Sequence, residues 1–266
     1  MKKEQTPKTV YYRDELNDDF ANNGIVKKNV ITNDYRYINK SPFFKVLSFI
    51  FRFLIAVPIL WIANLLIFRV KVVNKSLLKQ LRHKGYYVYS NHVLPYDPII
   101  LPVMTQPRKH MAIISGHELF SICGFVSWFT KHLGAVPIPN ADVGMQERYK
   151  ECLSYHIKKK HRILIFPEAH IWPYYNDIRN FKHVSFRYPV DDNAPIVVAT
   201  TTFKKRKGNK KPKPIVYLDG PFYPNTSLNS YHEQVMDLRN RAYEAMKWRA
   251  GQDGNYAYIN YVKKED

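Results

Sequence analysis

The stretch Tyr86-Tyr-Val-Tyr-Ser-Asn-His-Val-Leu-Pro-Tyr-Asp97 opens on an aromatic, apolar run and closes on a turn. Tyr86 to Ser90 reads as a buried strand. Asn91 and His92 stand at its exit, and Asp97 follows the histidine by five residues. Neither a helix nor a strand presents positions five apart on one face. His92 and Asp97 therefore meet only if the chain folds back between them, and Pro95 and Pro98 favour such a bend. A carboxylate on one imidazole nitrogen fixes the tautomer and leaves the other nitrogen as a base. The same residues have a plainer reading. Asp97 before Pro98 is a good helix start, with Asp as N-cap and Pro at the first helical position.

Working outward, strand-like and helix-like segments alternate. Strands are predicted at Tyr86–Ser90, Met111–Ser115, Ala135–Ile138, Ile163–Phe166, Pro195–Phe203 and Ile215–Leu218. Helices are predicted from Pro98, over Glu118–His132, over Val143–Lys160 and over Ser230–Lys247. The alternation predicts an α/β fold around a mixed, mostly parallel sheet flanked by helices.

A second segment, His161-Arg-Ile-Leu-Ile-Phe-Pro-Glu-Ala-His-Ile-Trp-Pro173, carries another buried strand straight into Pro167-Glu168. Asn-His-x-x-x-x-Asp followed some distance on by strand-Phe-Pro-Glu resembles the glycerolipid acyltransferases, in particular the 1-acylglycerol-3-phosphate (lysophosphatidic acid) acyltransferases. Lys109 to Pro139, with His117-Glu-Leu-Phe120 and Gly134-Ala-Val-Pro-Ile138, resembles the family's second block, and Ala194-Pro-Ile-Val-Val-Ala199 its fourth. The resemblance runs in the family's order from about Tyr86 to Phe222. It implies His92 as general base, Asp97 as the group that orients it, and Asn91 and Glu168 at the acceptor site. It also implies a thioester donor, acyl-CoA or acyl carrier protein, and a lysophospholipid acceptor, 1-acylglycerol-3-phosphate first, giving phosphatidic acid. Direct transfer needs no covalent nucleophile, and the chain has no Gly-x-Ser-x-Gly elbow. No cofactor is implied.

The chain departs from the family where the acceptor's phosphate is held. Asn140 stands where the second block usually ends in Arg, and Ala169-His-Ile-Trp172 replaces the usual Gly-Thr-Arg-Ser. The cations near Glu168 that remain to meet a phosphate are Arg179 and Lys182, with His170 as a further donor. Without such contacts the acceptor is expected to be a phosphate-free lyso-glycolipid, or the chain a silent lipid-binding homologue.

The formal net charge of +19 over 266 residues draws the protein to anionic surfaces: a membrane, an acidic carrier or nucleic acid. Zinc-finger spacing, RNA-binding aromatic signatures and Walker loops are missing, so the reading is an anionic membrane surface and no nucleic acid. Lys204–Lys213 is the one dense basic cluster and reads as a solvated hairpin tip that also suits anionic lipid or carrier protein. His156, His161, His170 and His183 match no compact zinc spacing, so no metal is expected. Cys123 and Cys152 make no disulfide framework.

Three regions follow: a polar arm over 1–41, flexible or loosely docked, a membrane-associated helical segment over 42–70, and a catalytic domain over 71–266. The uninterrupted apolar run Phe53–Phe68 would make a helix of ~24 Å against a hydrocarbon core of ~30 Å. Pro58 is expected to kink or divide it, and a helix pair dipping into one leaflet fits as well as a straight span. The protein is expected at the membrane, with its catalytic domain on the cytoplasmic side.

Overall fold

The computed structural model describes residues 7–20, 31–116, 118–121, 124–208 and 210–264. Its strands are β1 (Lys8–Tyr12), β2 (Lys71–Val73), β3 (Tyr86–Ser90), β4 (Met111–Ser115), β5 (Ala135–Pro137), β6 (Arg162–Ile165), β7 (Ile196–Lys204), β8 (Lys213–Phe222) and β9 (Ile259–Lys263). Its helices are α1 (Pro42–Phe68), α2 (Asp97–Thr105), α3 (Glu118–Ser121), α4 (Gly124–Leu133), α5 (Val143–Lys158), α6 (Arg187–Asp191) and α7 (Tyr231–Ala250).

Seven strands form one sheet in the order β2-β8-β7-β3-β6-β4-β5. Every neighbouring pair is parallel except the hairpin β7–β8. β3 and β6 are buried along their whole length and β7 to its penultimate residue. Successive side chains of these strands enter opposite cores. Tyr87, Tyr89, Ile163 and Ile165 pack with Leu153 of α5 and with Leu238 and Met246 of α7. Tyr86, Val88 and Leu164 pack with Ile100 and Leu101 of α2. Helices on both faces leave the carboxyl ends of β3 and β6 as the open edge, where α/β sheets place their ligands.

α1 is continuous through Pro58. The expected break does not occur; instead the stretches Ile50–Ala56 and Asn64–Phe68 widen to π pitch, a local adjustment of the kind that frees a helix from one missing N–H. One side of α1 is pinned to the domain: Ser48 Oγ lies 2.8 Å from His132 Nδ1, and Arg52 Nη2 donates to the His132 carbonyl at 3.0 Å. Phe68 stacks on Tyr96 at the far end. The other side presents Val46, Leu54, Ile59, Trp61, Leu65 and Ile67 outward, each more than half exposed, with Phe125 of α4 beside them.

The amino-terminal arm is docked where it is described. β1 pairs in parallel with β9, and Phe20 N–H donates to the Ile171 carbonyl at 3.2 Å. A polar sequence concealed this because the pairing uses backbone and scattered aromatic rings, with no apolar run to announce it. The predicted helix over Glu118–His132 is described as α3 and α4; the positions between them, 122 and 123, and His117 lie outside the described residues, so the reading of Cys123 does too.

Candidate active site

β3 ends at Ser90, and the next two residues are held by side chains where the strand pairing stops. Ser90 Oγ donates to the Ala199 carbonyl at 2.7 Å. Asn91 Nδ2 donates to the Thr201 carbonyl at 3.0 Å, and its Oδ1 accepts from Thr201 N–H at 2.8 Å. The amide of Asn91 thus imitates one more pair of sheet bonds to β7 while the main chain turns away. Both of its polar atoms bond to the Thr201 main chain, which fixes the chain immediately before His92.

His92 follows, its ring stacked on Phe166 with centroids 4.1 Å apart. Its Nδ1 lies 3.5 Å from Asp97 Oδ2, a charge contact without the alignment of a hydrogen bond. Catalytic hydrogen bonds are often this long before substrate arrives. Asp97 Oδ2 also accepts from Val93 N–H at 3.0 Å and Leu94 N–H at 2.8 Å. These two bonds are the fold-back that the five-residue spacing demanded. The carboxylate therefore faces back into the turn, although α2 begins at Asp97 itself. With Nδ1 turned to Asp97, Nε2 is the nitrogen left for a reacting group.

Glu168 emerges from β6 on the same edge and is almost fully buried. Its Oε2 accepts from His92 N–H at 3.4 Å, and its Oε1 accepts from Arg179 N–H at 3.0 Å. Arg179 Nη2 approaches Oε2 to 3.2 Å and also donates to the His170 carbonyl. Burial raises the carboxyl's pKa, and the Arg179 guanidinium opposes that rise. Trp172 closes the arrangement: its backbone N–H donates to the His92 carbonyl at 3.2 Å, its indole N–H donates to the Asp18 carbonyl at 2.7 Å, and the Arg179 guanidinium lies 4.8 Å from its ring centroid. His92 is therefore bracketed, its N–H on Glu168 and its C=O on Trp172.

Arg179 is fully buried; its Nη atoms donate to Glu168 and to the carbonyls of His170 and Glu15, and its Nε has no partner among the described residues. Lys182 is exposed. His170 is about a third exposed, with Nδ1 3.7 Å from Asp19 Oδ2. Asn140 Nδ2 lies 3.5 Å from Asn33 Oδ1. A carboxylate and an amide thus stand near the two positions where the family's arginines are missing.

An acyltransferase family model matches residues 69–201, half of the chain. The chain belongs to the acyltransferase family. Among solved structures it is similar to the 1-acyl-sn-glycerophosphate (LPA) acyltransferase PlsC from Thermotoga maritima, with 16% identity, a TM-score of 0.51, and coverage of 79% of this chain and 96% of that one. That likeness is one of fold. No curated protein matches the chain.

Two features of this acyltransferase escaped sequence reasoning. Arg162, fully buried at the start of β6, donates to Thr105 Oγ1 at 2.6 Å and to the carbonyls of Pro102, Gln106 and Lys109. It caps the carboxyl end of α2, the helix whose first residue is Asp97. A cation directly before the predicted strand Ile163–Phe166 was the signal available. The other is a trio, His110, His156 and His161, whose ring nitrogens lie within 4.8 Å of one another. His110 lies in a segment far from the other two along the chain, so no local spacing links it to them. The trio could ligate zinc or a similar ion by distance. Its surroundings oppose that: after burial, the positive charge of Arg52 is among the causes that hold all three rings below the usual imidazole range. A dication and a guanidinium a few ångströms apart repel by several kcal/mol even at an effective dielectric near 20.

Proposed function

We propose that the protein transfers an acyl group from a thioester donor to the hydroxyl of a lysophospholipid, with His92 as general base and Asp97 as its orienting carboxylate. The observation that carries this reading is the His92–Asp97 contact at the carboxyl edge of the sheet, with the His92 backbone fixed by Glu168 and Trp172. The acceptor's oxygen attacks the thioester carbonyl carbon while its proton passes to His92 Nε2. As the tetrahedral intermediate collapses, the carbon–sulfur bond breaks and the proton goes to the departing thiolate. Asp97 stabilises the imidazolium between the two steps. Such general-base help is typically worth ~10²–10⁴-fold.

The donor is acyl-CoA or an acyl carrier protein. The basic tip of the β7–β8 hairpin supports either, because Lys211 lies over the Tyr174 ring, and Tyr174 N–H donates to the Val93 carbonyl next to His92. The exposed apolar side of α1 supports a membrane location, with residues 71–266 as the catalytic domain on the cytoplasmic side, where such donors are found. 1-Acylglycerol-3-phosphate is the first acceptor to test. A phosphate-free lyso-glycolipid is the second reading, favoured by Arg179 being spent on Glu168 and by Asp19 standing beside His170.

The test is purified protein in detergent with a labelled acyl-CoA and a panel of lyso-acceptors with and without phosphate. Esterification of at least one acceptor by the wild type and none by His92→Ala is expected. No product with any acceptor, or equal product from the variant, would sink the reading.

A further inference from the structure

A cavity of about 600 Å³ lies away from His92, which is not among its lining residues. It opens between the inner side of α1, the segment 34–39 and the amino-terminal ends of β5 and β6. Four cations line it, Arg36, Lys45, Arg52 and Lys131, and Asp34 is the one acid among the described lining residues. Arg52 is the informative member. Its Nη2 donates to the His132 carbonyl, its Nε is buried without a partner, and it joins no ion pair among the described residues. A charge taken out of water ordinarily has a counter-charge. Here none stands within ion-pair distance among the described residues.

His110, His156 and His161 line the same cavity. Burial, with Arg52 nearby, holds all three well below the usual imidazole range, so they are neutral at physiological pH. Neutral rings offer N–H groups to an anion, and the buried Nδ1 of His110 has no partner of its own. Four cations against the single carboxylate of Asp34, beside the one unsatisfied ring nitrogen of His110 and the mutually paired Nδ1 atoms of His156 and His161, make a poor cage for a metal and a good one for a phosphate group. The remaining wall says which kind. Phe44, Phe49 and Phe53 of α1 line the cavity, and Phe49 is also 55% exposed on the apolar side of that helix. A headgroup in the cavity can therefore lay its chains along α1.

We propose that this cavity binds the phosphate headgroup of an anionic lipid, at a site separate from the catalytic residues. Bound there, the lipid bridges α1 to α4, whose junction is already made by Ser48 and Arg52 on His132. The site follows from the cavity alone and does not depend on the reaction proposed for His92.

The test uses the full chain in neutral detergent, with binding and thermal unfolding measured against dihexanoyl phosphatidylglycerol, dihexanoyl phosphatidylcholine, inorganic phosphate and zinc chloride in separate arms. Saturable binding of phosphatidylglycerol, with a raised melting temperature and little response to phosphatidylcholine, is expected. Lys45→Gln with Lys131→Gln, which leaves the Arg52–His132 contact intact, should weaken that binding about tenfold, and Arg52→Gln at least as much. Lys207→Gln with Lys210→Gln removes the same charge from the hairpin tip and should change affinity by no more than about twofold. Equal losses from the cavity and hairpin variants would mean only surface attraction and would overturn the site. Inorganic phosphate binding as tightly as the lipid, or zinc binding in its place, would overturn the lipid assignment.

Discussion

At the residue scale, His92 and Asp97 do different amounts of structural work, and the difference can be measured. His92 makes a ring stack and one long charge contact through its side chain. His92→Ala should therefore lower turnover by ~10²–10⁴-fold while its melting temperature moves by no more than ~2–4 °C. Asp97 accepts two backbone N–H groups. Asp97→Ala should lose activity and also ~2–4 kcal/mol of stability, because Val93 and Leu94 are left with buried, unsatisfied donors. Paired assays of turnover and urea unfolding separate the two; equal stability of the variants would mean that the fold-back does not rest on Asp97. Ala169 offers a second check. It holds a left-handed φ of 64° at the position where the family uses glycine. Ala169→Gly should relieve ~1–2 kcal/mol of strain against ~0.5–1 kcal/mol of added chain entropy. A net change between zero and a gain of ~1.5 kcal/mol in unfolding free energy is expected, and a loss would show that the methyl group is packed rather than tolerated.

At the scale of elements, the junction of β4, α5 and β6 makes the fold sensitive to acid. His156 is held down to about 3 and His161 to about 4 by burial and by the field of Arg52. In the unfolded chain both return to ordinary values near 6.5. Below that pH the unfolded state takes up protons that the folded state refuses, so the contribution present at neutral pH is lost as the pH falls towards 4. The slope is at most ~1.4 kcal/mol per pH unit for each group. Urea unfolding of the wild type at pH 7.5 and 5 should show this loss, and His156→Gln with His161→Gln should flatten it. Identical slopes would place the acid sensitivity elsewhere.

On the scale of the whole molecule, α1 divides the surface into a domain-facing side and an outer side that gathers exposed large apolar residues, the kind of surface that marks a membrane or partner contact. Leu54, Trp61 and Leu65 point outward at 61%, 57% and 62% exposure. Replacing all three by serine should leave unfolding unchanged and release the protein from vesicles in high salt, where the +19 charge is screened. A triple variant that still sediments with vesicles under those conditions would put the attachment on another surface.

The sequence by itself determined the sheet and the pair at its edge. Buried strands such as Tyr86–Ser90 announce themselves because both faces are apolar, and the prolines around His92 and Asp97 left the chain little choice but to turn. It could not determine what the cations do. Arg179 reads as a free cation beside Glu168, yet the fold closes it over with Trp172 and the arm, because a buried carboxylate attracts the nearest guanidinium before any substrate arrives. The arm reads as loose, since backbone pairing of β1 with β9 leaves no periodic trace in either segment. The histidine trio and the cavity beside Arg52 join α1, β4, α5 and β6. Only tertiary packing brings those four elements together, so no spacing within one of them could have shown the site.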